Sequence, residues 1–420
     1  MILDIKTYIK EFTFHEKQDS FNFSNGVGRT RVDKEFINGI YINKYINEFW
    51  TSKQRQASEL HEISYRACFK AQLPRFFIEL LTSEWDTVYD PFIGRGTTAI
   101  EAGLLCRRVI ANDVNPLSII LTKPRFFIPK IGDLTDRLED ISIDRNAKAE
   151  IDLSMFYHSQ TEAEICSLRN YLELKRKTGT EDCLDDWIRM VATNRLTGHS
   201  GGFFSVYTLP PNQAVSQESQ RRINEKRNQK PEYRDTKKLI LKKSSQLTAG
   251  LSEAQIKNLR DIGDKALFLN MDSRMTAPIP MDSVQLTVTS PPFLNIVQYA
   301  QDNWLRCWFN SINTDEVSAK ITMAKTISAW RSFIGEVFKE LYRVTKKDGW
   351  VAFEVGEVQN GKVNLDEHVV PLGAEAGFNC EGIVINEQYF TKTSNIWGIG
   401  NNKSGTNTNR IVLFQKVVSK

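Results

Sequence analysis

The sequence predicts an α/β fold: an open, largely parallel sheet with helices between its strands, interrupted by a mainly helical insertion. Two observations predict it. Short apolar and β-branched runs recur at 86–90, 108–111, 266–270 and 284–288, each bounded by charged or turn-forming residues, as buried strands are. Two of these runs end in distinctive corners: Gly94-Arg95-Gly96, which leads into a helical stretch, and Ser290-Pro291-Pro292. In an open α/β sheet the carboxyl ends of the strands are where ligands bind.

The chain has 420 residues, 41% hydrophobic and 25% charged. It can bury a sizeable core and is long enough for two or three domains, or for one large domain with an insertion. No apolar run approaches a membrane span, and Met1 to Phe14 has interspersed charges without a signal-peptide core, so a cytoplasmic protein is expected. The six cysteines form no C-x-x-C pair and the five histidines do not join them at metal spacing. Neither a disulfide framework nor a metal site is expected.

Residues 1–60 are polar and aromatic and read as an appendage. Within them, Ile37 to Trp50 fits either a short helix or a strand pair. Pro74 suits the first turn of a helix, and the apolar residues after it recur at helical spacing. The run 86–90 then leads through Pro91 and Phe92 into the glycine corner, and Thr97 onward opens a helix. Glycines let the backbone approach a ligand, and the new helix offers free N–H groups. The next strand, 108–111, ends at Asn112-Asp113. Asp113 lies 19 residues after Gly94, where a carboxylate can accept both hydroxyls of a ribose. G-x-G-x-x-A with a later acid is also a dinucleotide fingerprint. Asp90 and Phe92 argue against a nicotinamide cofactor, because a pyrophosphate wants neither a carboxylate nor a ring there.

Residues 122–261 read as the insertion. Helical patterns start after His158 and around Asp185, and the 198–207 stretch reads as a glycine-hinged loop into a strand, stopped by Pro210-Pro211. Net charge is +4, but between Arg221 and Lys243 ten basic residues stand against three acidic ones, a local excess of +7. Such a block is either a solvated helix face or a phosphate-contacting surface; Arg221, Arg222, Lys226 and Arg227 are its phosphate-contact candidates.

The strand pattern resumes at Ala266–Asn270 and reaches Asp272, 17 residues before Thr289. The proline corner after Val288 cannot continue a helix and offers acceptors without donors, beside the Phe293 ring. A rigid set of acceptors beside a flat ring suits a planar heterocycle that bears an amino group. Downstream, 304–309 and 329–344 read as helices and 350–355 as a buried strand. The runs 383–385 and 410–414 read as a closing antiparallel pair, joined by a Gly/Asn/Ser-rich loop.

Taken together, Asp90-Pro91-Phe92-Ile93-Gly94-Arg95-Gly96-Thr97-Thr98 and Thr289-Ser290-Pro291-Pro292-Phe293 resemble the cofactor loop and the catalytic motif of the DNA amino-methyltransferase family. The resemblance covers residues 61–121 and 262–420, the expected catalytic domain. It implies a Rossmann-like, seven-stranded methyltransferase sheet with helices on both faces, and S-adenosyl-L-methionine as methyl donor. The implied cofactor residues are Phe69 and Lys70, from a segment 65–75 at the methionine end, with Asp90, Phe92, Gly94, Gly96 and Thr97. Asp113 would hold the ribose and Asp272 the adenine amine. Ser290, Pro291, Pro292 and Phe293 would be catalytic, with the target base flipped out of the duplex and stacked on Phe293.

An exocyclic amine is a poor nucleophile because its lone pair is delocalised. Ser290 and the carbonyl near Pro291 accepting its N–H bonds would localise that pair for attack on the sulfonium methyl. In this family a serine at the first motif position is typical of cytosine methylated on N4, and Asp or Asn of adenine methylated on N6. The implied partners are duplex DNA and, in a restriction–modification setting, a cognate endonuclease. The insertion falls earlier in the chain than the recognition domain of several family members, so its role in target recognition is a separate expectation. The competing readings are an adenine-N6 enzyme, methylation of an RNA or protein amine, and a non-catalytic DNA-binding module.

Overall fold

The computed structural model describes residues 4–13, 29–50, 57–65, 68–209, 214–292, 302–321, 324, 326–358, 363–387 and 408–417. In chain order the strands are β1 (Arg31–Ile37), β2 (Ile40–Asn47), β3 (Thr87–Asp90), β4 (Arg108–Asn112), β5 (Leu267–Leu269), β6 (Val284–Thr289), β7 (Thr345–Val355), β8 (Glu357–Val358), β9 (Val363–Asn364), β10 (Asn379–Glu387) and β11 (Thr408–Gln415). Nine of them form one mixed sheet in the order β1-β2-β10-β11-β7-β6-β3-β4-β5; β8 and β9 make a separate two-stranded ladder.

The sheet therefore has nine strands where seven were expected. The seven from β10 to β5 are all present; the other two come from the amino-terminal appendage. Its 37–50 stretch resolves into strand, and β2 adds in parallel to β10 over Lys44–Asn47. Asn386 pins the join: its Oδ1 accepts from the N–H groups of Phe49 at 2.7 Å and Trp50 at 3.1 Å. That satisfies buried backbone donors which would otherwise leave the ladder unpaired.

β3, β4, β5, β6 and β7 run parallel, and β11 closes antiparallel to both β7 and β10. One face of the sheet is covered by the helices Gln72–Leu81, Thr97–Leu104 and Glu253–Gly263, and the buried core there is continuous with that of the insertion. The other face is covered by Ile327–Val344 and Leu365–Ala376, with Trp330, Phe333, Phe338 and Phe414 in its core.

The insertion is helical: Ile131–Asp140, Ser159–Thr178, Cys183–Arg195, Gln217–Arg227 and Thr236–Thr248. The expected boundary at residue 261 falls inside the helix Glu253–Gly263. That helix packs on the helix Thr97–Leu104 of the catalytic domain: a Cβ at Gly103 would stand 3.0 Å from Leu259 Cδ2. The 198–207 stretch makes no regular strand, only an isolated bridge between Gly198 and Tyr207.

Candidate active site

The chain leaves β3 for β4 and β5 on one side, then returns to β6 and β7 on the other. Its switch point lies between β3 and β6, where ligands bind in sheets of this kind. A crevice of about 730 Å³, part of it open to solvent, lies there and is bordered by both corners found in the sequence. Phe92, Gly94, Asp113, Asp272, Ser290, Pro291 and Pro292 line it, joined by Tyr65, Met271, Ile321 and Phe333. The wall is largely apolar and aromatic, with carboxylates at two of the strand ends and one cation, Lys320.

The glycine bend needs positive φ at Gly94 (+53°) and Gly96 (+83°), which glycine adopts without a Cβ clash. Gly96 is the N-cap of the helix Thr97–Leu104. Arginines strap the preceding segment to the bend. Arg95 donates to the carbonyls of Ile63 at 3.2 Å and Phe69 at 3.4 Å. The fully buried Arg125 donates to the carbonyls of Leu60 and Leu121, each at 2.9 Å, and to that of Arg95. This strap lays Tyr65 over Gly94, so that a Cβ there would sit 3.7 Å from the ring.

Asp113 locks the bend from below. Its Oδ2 accepts from the Gly94 N–H and its Oδ1 from the Asn115 N–H, both at 2.9 Å. Burial pushes its carboxyl up from the ordinary value, against those two hydrogen bonds. A carboxylate has about four acceptor sites, so two remain for a ligand's hydroxyls. Asp272 is held by Arg274, whose Nη2 reaches Oδ2 at 2.6 Å, and this partner keeps the carboxyl below its usual range.

Asp90 lies behind the crevice. It is buried, and its Oδ1 accepts from the Thr289 hydroxyl at 2.6 Å and from the Phe92 N–H at 3.1 Å. It joins the two corners directly, since Thr289 precedes Ser290. Burial pushes its carboxyl up to about 7, with Thr289 opposing. An unfolded aspartate titrates near 4. Between about pH 4 and 7, then, the folded chain keeps a proton that the unfolded chain has released, and stability falls as pH rises through that window. Asp90→Asn is expected to remove this downward slope, as read from urea unfolding midpoints between pH 4 and 8.

At the proline corner, the Ser290 side chain hydrogen-bonds the Glu354 carboxylate, which also accepts from Asn409 Nδ2 at 2.9 Å. Glu354 is buried on β7, and burial pushes its carboxyl up. The Pro292 carbonyl is taken by Trp330 Nε1 at 3.1 Å, which braces the corner from the opposite helix. Sequence reasoning missed both residues. Glu354 had a signal, being a lone charge inside an apolar run; Trp330 had none.

Of the other candidates, Gly96 and Thr97 lie behind the bend; Thr97 Oγ1 accepts from Arg95 Nε at 3.3 Å. Phe69 packs against the core and Lys70 is exposed, both outside the crevice lining. Phe293 lies outside the described residues. Arg221, Arg222, Lys226 and Arg227 share the helix Gln217–Arg227, outside the crevice lining. Arg221 pairs with Asp152 at 2.7 Å, Arg222 with Glu218, and Arg227 stacks over Tyr207 at 3.8 Å.

Among the described residues no group of His, Cys, Asp or Glu could hold a metal ion, and no helix is long and apolar enough to cross a membrane.

The sequence profile of the N6/N4 type of DNA methylase matches residues 12–122, which include the strap, the glycine bend and Asp113. Over that segment the chain is similar to the DNA amino-methyltransferase family. The Type II methyltransferase M.BsoBI of Geobacillus stearothermophilus is 31% identical over 109 residues, which is 25% of this chain and 21% of the relative. The chain thus matches about a fifth of that relative's length. Among solved structures, a provisionally assigned DNA modification methylase of Thermus thermophilus, complexed with S-adenosyl-L-methionine, is 18% identical over 36% of this chain and 54% of its own, with a TM-score of 0.24. The rRNA methyltransferase aviRa of Streptomyces viridochromogenes is 11% identical over 86% of this chain and 90% of its own, with a TM-score of 0.30.

Proposed function

We propose that this chain transfers a methyl group from S-adenosyl-L-methionine to the exocyclic N4 amine of cytosine in duplex DNA. One observation carries the reading: both corners border a single crevice, and the serine on its wall is backed by a buried carboxylate. When bound, the cofactor supplies an electrophilic methyl on a sulfonium.

The chain's own residues do the rest. Asp113 and the Gly94 backbone hold a ribose, Asp272 accepts from an adenine amine, and Phe92, Met271, Ile321 and Phe333 enclose its ring. Ser290 donates to Glu354, which leaves its oxygen lone pairs to accept an N–H of the target amine. This draws the nitrogen out of conjugation and orients it. The proton released from the methylated nitrogen has a receiver one hydroxyl away, because burial has raised the Glu354 carboxyl.

A serine at the first motif position, where the family it resembles typically has Asp or Asn in adenine-N6 enzymes, supports cytosine N4 over adenine N6. Incubating the protein with duplex DNA and methyl-labelled cofactor, then digesting the product to nucleosides, tests this. Label in 4-methylcytosine is expected; label in N6-methyladenine gives the reaction to adenine, and label only with RNA substrates removes DNA as the target.

The insertion supplies the target contact in this reading. Its segment 214–215 meets the chain downstream of the proline corner: the Ala214 N–H donates to the Asp302 carbonyl at 3.1 Å, and Trp304 Nε1 to the Val215 carbonyl at 3.2 Å. The helix carrying Arg221, Arg222, Lys226 and Arg227 follows directly. Exposed ion pairs such as Arg221–Asp152 are worth little in water, so these cations can exchange their carboxylates for phosphates. Changing all four to serine should weaken DNA binding and flatten the log–log salt slope by up to about four. Fluorescence anisotropy across a salt series reads both. In a restriction–modification pair, the modified site should also resist the cognate endonuclease.

A further inference from the structure

Two buried arginines have no acid partner among the described residues. Arg195, 8% exposed, ends the helix Cys183–Arg195, and Arg306, 5% exposed, lies in Trp304–Phe309. Arg195 donates to Asn194 Oδ1 at 2.6 Å and to the Gly202 carbonyl at 3.5 Å, and stacks 4.0 Å from the centre of Phe203; its Nε is sealed off without a partner. Arg306 donates from Nη1 to Asn303 Oδ1 at 2.9 Å. Its Nε and Nη2 find no acceptor among the described residues, yet they are not sealed like the Arg195 Nε.

The charges around them do not balance. Arg195 feels the charge of Arg306, and both guanidinium groups are held below their ordinary values, chiefly by burial. The acid that acts most on Arg195, Glu62, is already paired with the buried Lys243 at 3.1 Å. The neighbouring stretches 196–214 and 293–301 contain no Asp or Glu, and the next acid along the chain, the buried Asp302, is engaged in an interaction of its own. Burying one unpaired charge costs several kcal/mol, and two of one sign cost more, unless an anion from outside completes the set.

Position narrows the choice of anion. Asn194, which receives Arg195, donates to the Ser64 carbonyl at 3.4 Å. The next residue, Tyr65, lines the crevice and lies over Gly94. Arg306 acts electrostatically on Tyr65 and Cys68. The arginines therefore stand behind Tyr65, next to the crevice lining at its glycine-bend end but not part of it, two strands away from Asp272. Side chains more than nine-tenths buried are out of reach of a duplex backbone. A carboxylate on a slender chain can reach them.

We propose that Arg306, backed by Arg195, receives the amino-acid carboxylate of the bound cofactor. This rests on the reading of the crevice as a site for S-adenosyl-L-methionine and assigns residues from outside the matched segment to its tail. It also gives the insertion a part in cofactor binding, through the end of the helix Cys183–Arg195.

Calorimetric titration of the full chain with S-adenosyl-L-methionine and with its decarboxylated analogue tests this. Wild type is expected to bind the carboxylated compound about ten- to a hundredfold more tightly, the range for a charged hydrogen-bonded contact. Arg306→Gln should bring both compounds to the weaker affinity, with the analogue changed less than about twofold, and Arg306→Lys should restore part of the difference. Because Arg306→Gln relieves repulsion, its melting temperature should not fall below that of wild type. Equal loss for both compounds, no loss for either, or a loss confined to duplex DNA affinity would overturn the assignment. Wild type that takes up neither compound would remove the cofactor reading itself, and this inference with it.

Discussion

Gly96→Ala is expected to destabilise the fold by about 3 kcal/mol or more and to abolish cofactor uptake. A Cβ at that position would stand 2.4 Å from Thr122 Oγ1, 2.5 Å from Thr122 Cγ2 and 2.9 Å from Arg125 Nη2. The φ of +83° adds the left-handed penalty of roughly 1–2 kcal/mol to an overpacking cost of about 1–3 kcal/mol. The neighbours cannot move aside cheaply, because Arg125 is fully buried and bonded to three carbonyls. Gly94→Ala is the control. Its φ is +53°, but the nearest atom to a new Cβ is Tyr65 Cε1 at 3.7 Å, an ordinary contact. It should cost only about 1–2 kcal/mol and should weaken cofactor binding without abolishing it. Chemical denaturation of both variants, with cofactor titration, reads the difference; equal losses would show that crowding under the helix start is not what singles out Gly96.

Ser290→Ala is expected to lower kcat about a hundred- to a thousandfold, the size of effect seen when one preorganised hydrogen-bonding group is removed at a reacting centre. The KM for the cofactor should barely change, because Ser290 faces the target amine in this reading. Glu354→Gln separates the two roles of the pair. It keeps an acceptor for the serine hydroxyl but cannot take a proton, so kcat should fall less than in Ser290→Ala. The pH profile should change as well. The ionised Glu354 is the working form and its carboxyl is raised, so wild-type activity should fall on the acid side, above the usual glutamate range. That acid limb should vanish in Glu354→Gln. An unchanged limb would give the titration to another group, with Asp90, pushed up to about 7, the next to test.

Much of this site is legible in the chain because its parts are local. Gly94, Gly96 and Asp113 lie within 20 residues of sequence, and the glycine spacing constrains the backbone whatever surrounds it. The proline pair likewise stiffens its own corner. Glu354 and Trp330 come from a strand and a helix far along the chain, and only packing brings them to Ser290 and Pro292. The amino-terminal hairpin was ambiguous for a different reason. The stretch 37–50 carries apolar residues at both strand and helix spacing, and the choice was made by an open edge on β10.

The basic block shows what composition leaves out. Ten cations between 221 and 243 look alike in sequence, but folding sorts them. Lys243 is buried against Glu62, Arg234 donates to the carbonyls of Ser200 and Phe203, and Lys237 donates to the Ile141 carbonyl at 2.7 Å. These cations hold the insertion together. Those on Gln217–Arg227 remain at the surface with exposed partners.

By itself, the chain determined the two corners and the carboxylates at neighbouring strand ends, because short-range sterics and the loss of backbone donors act within a few residues. Tertiary structure alone decided that the corners face one crevice, that Asp90 ties one to the other, and that Arg195 and Arg306 are buried together without an ion pair among the described residues. Each of those depends on which distant strands pair and on what is taken out of water together, and no local pattern encodes that.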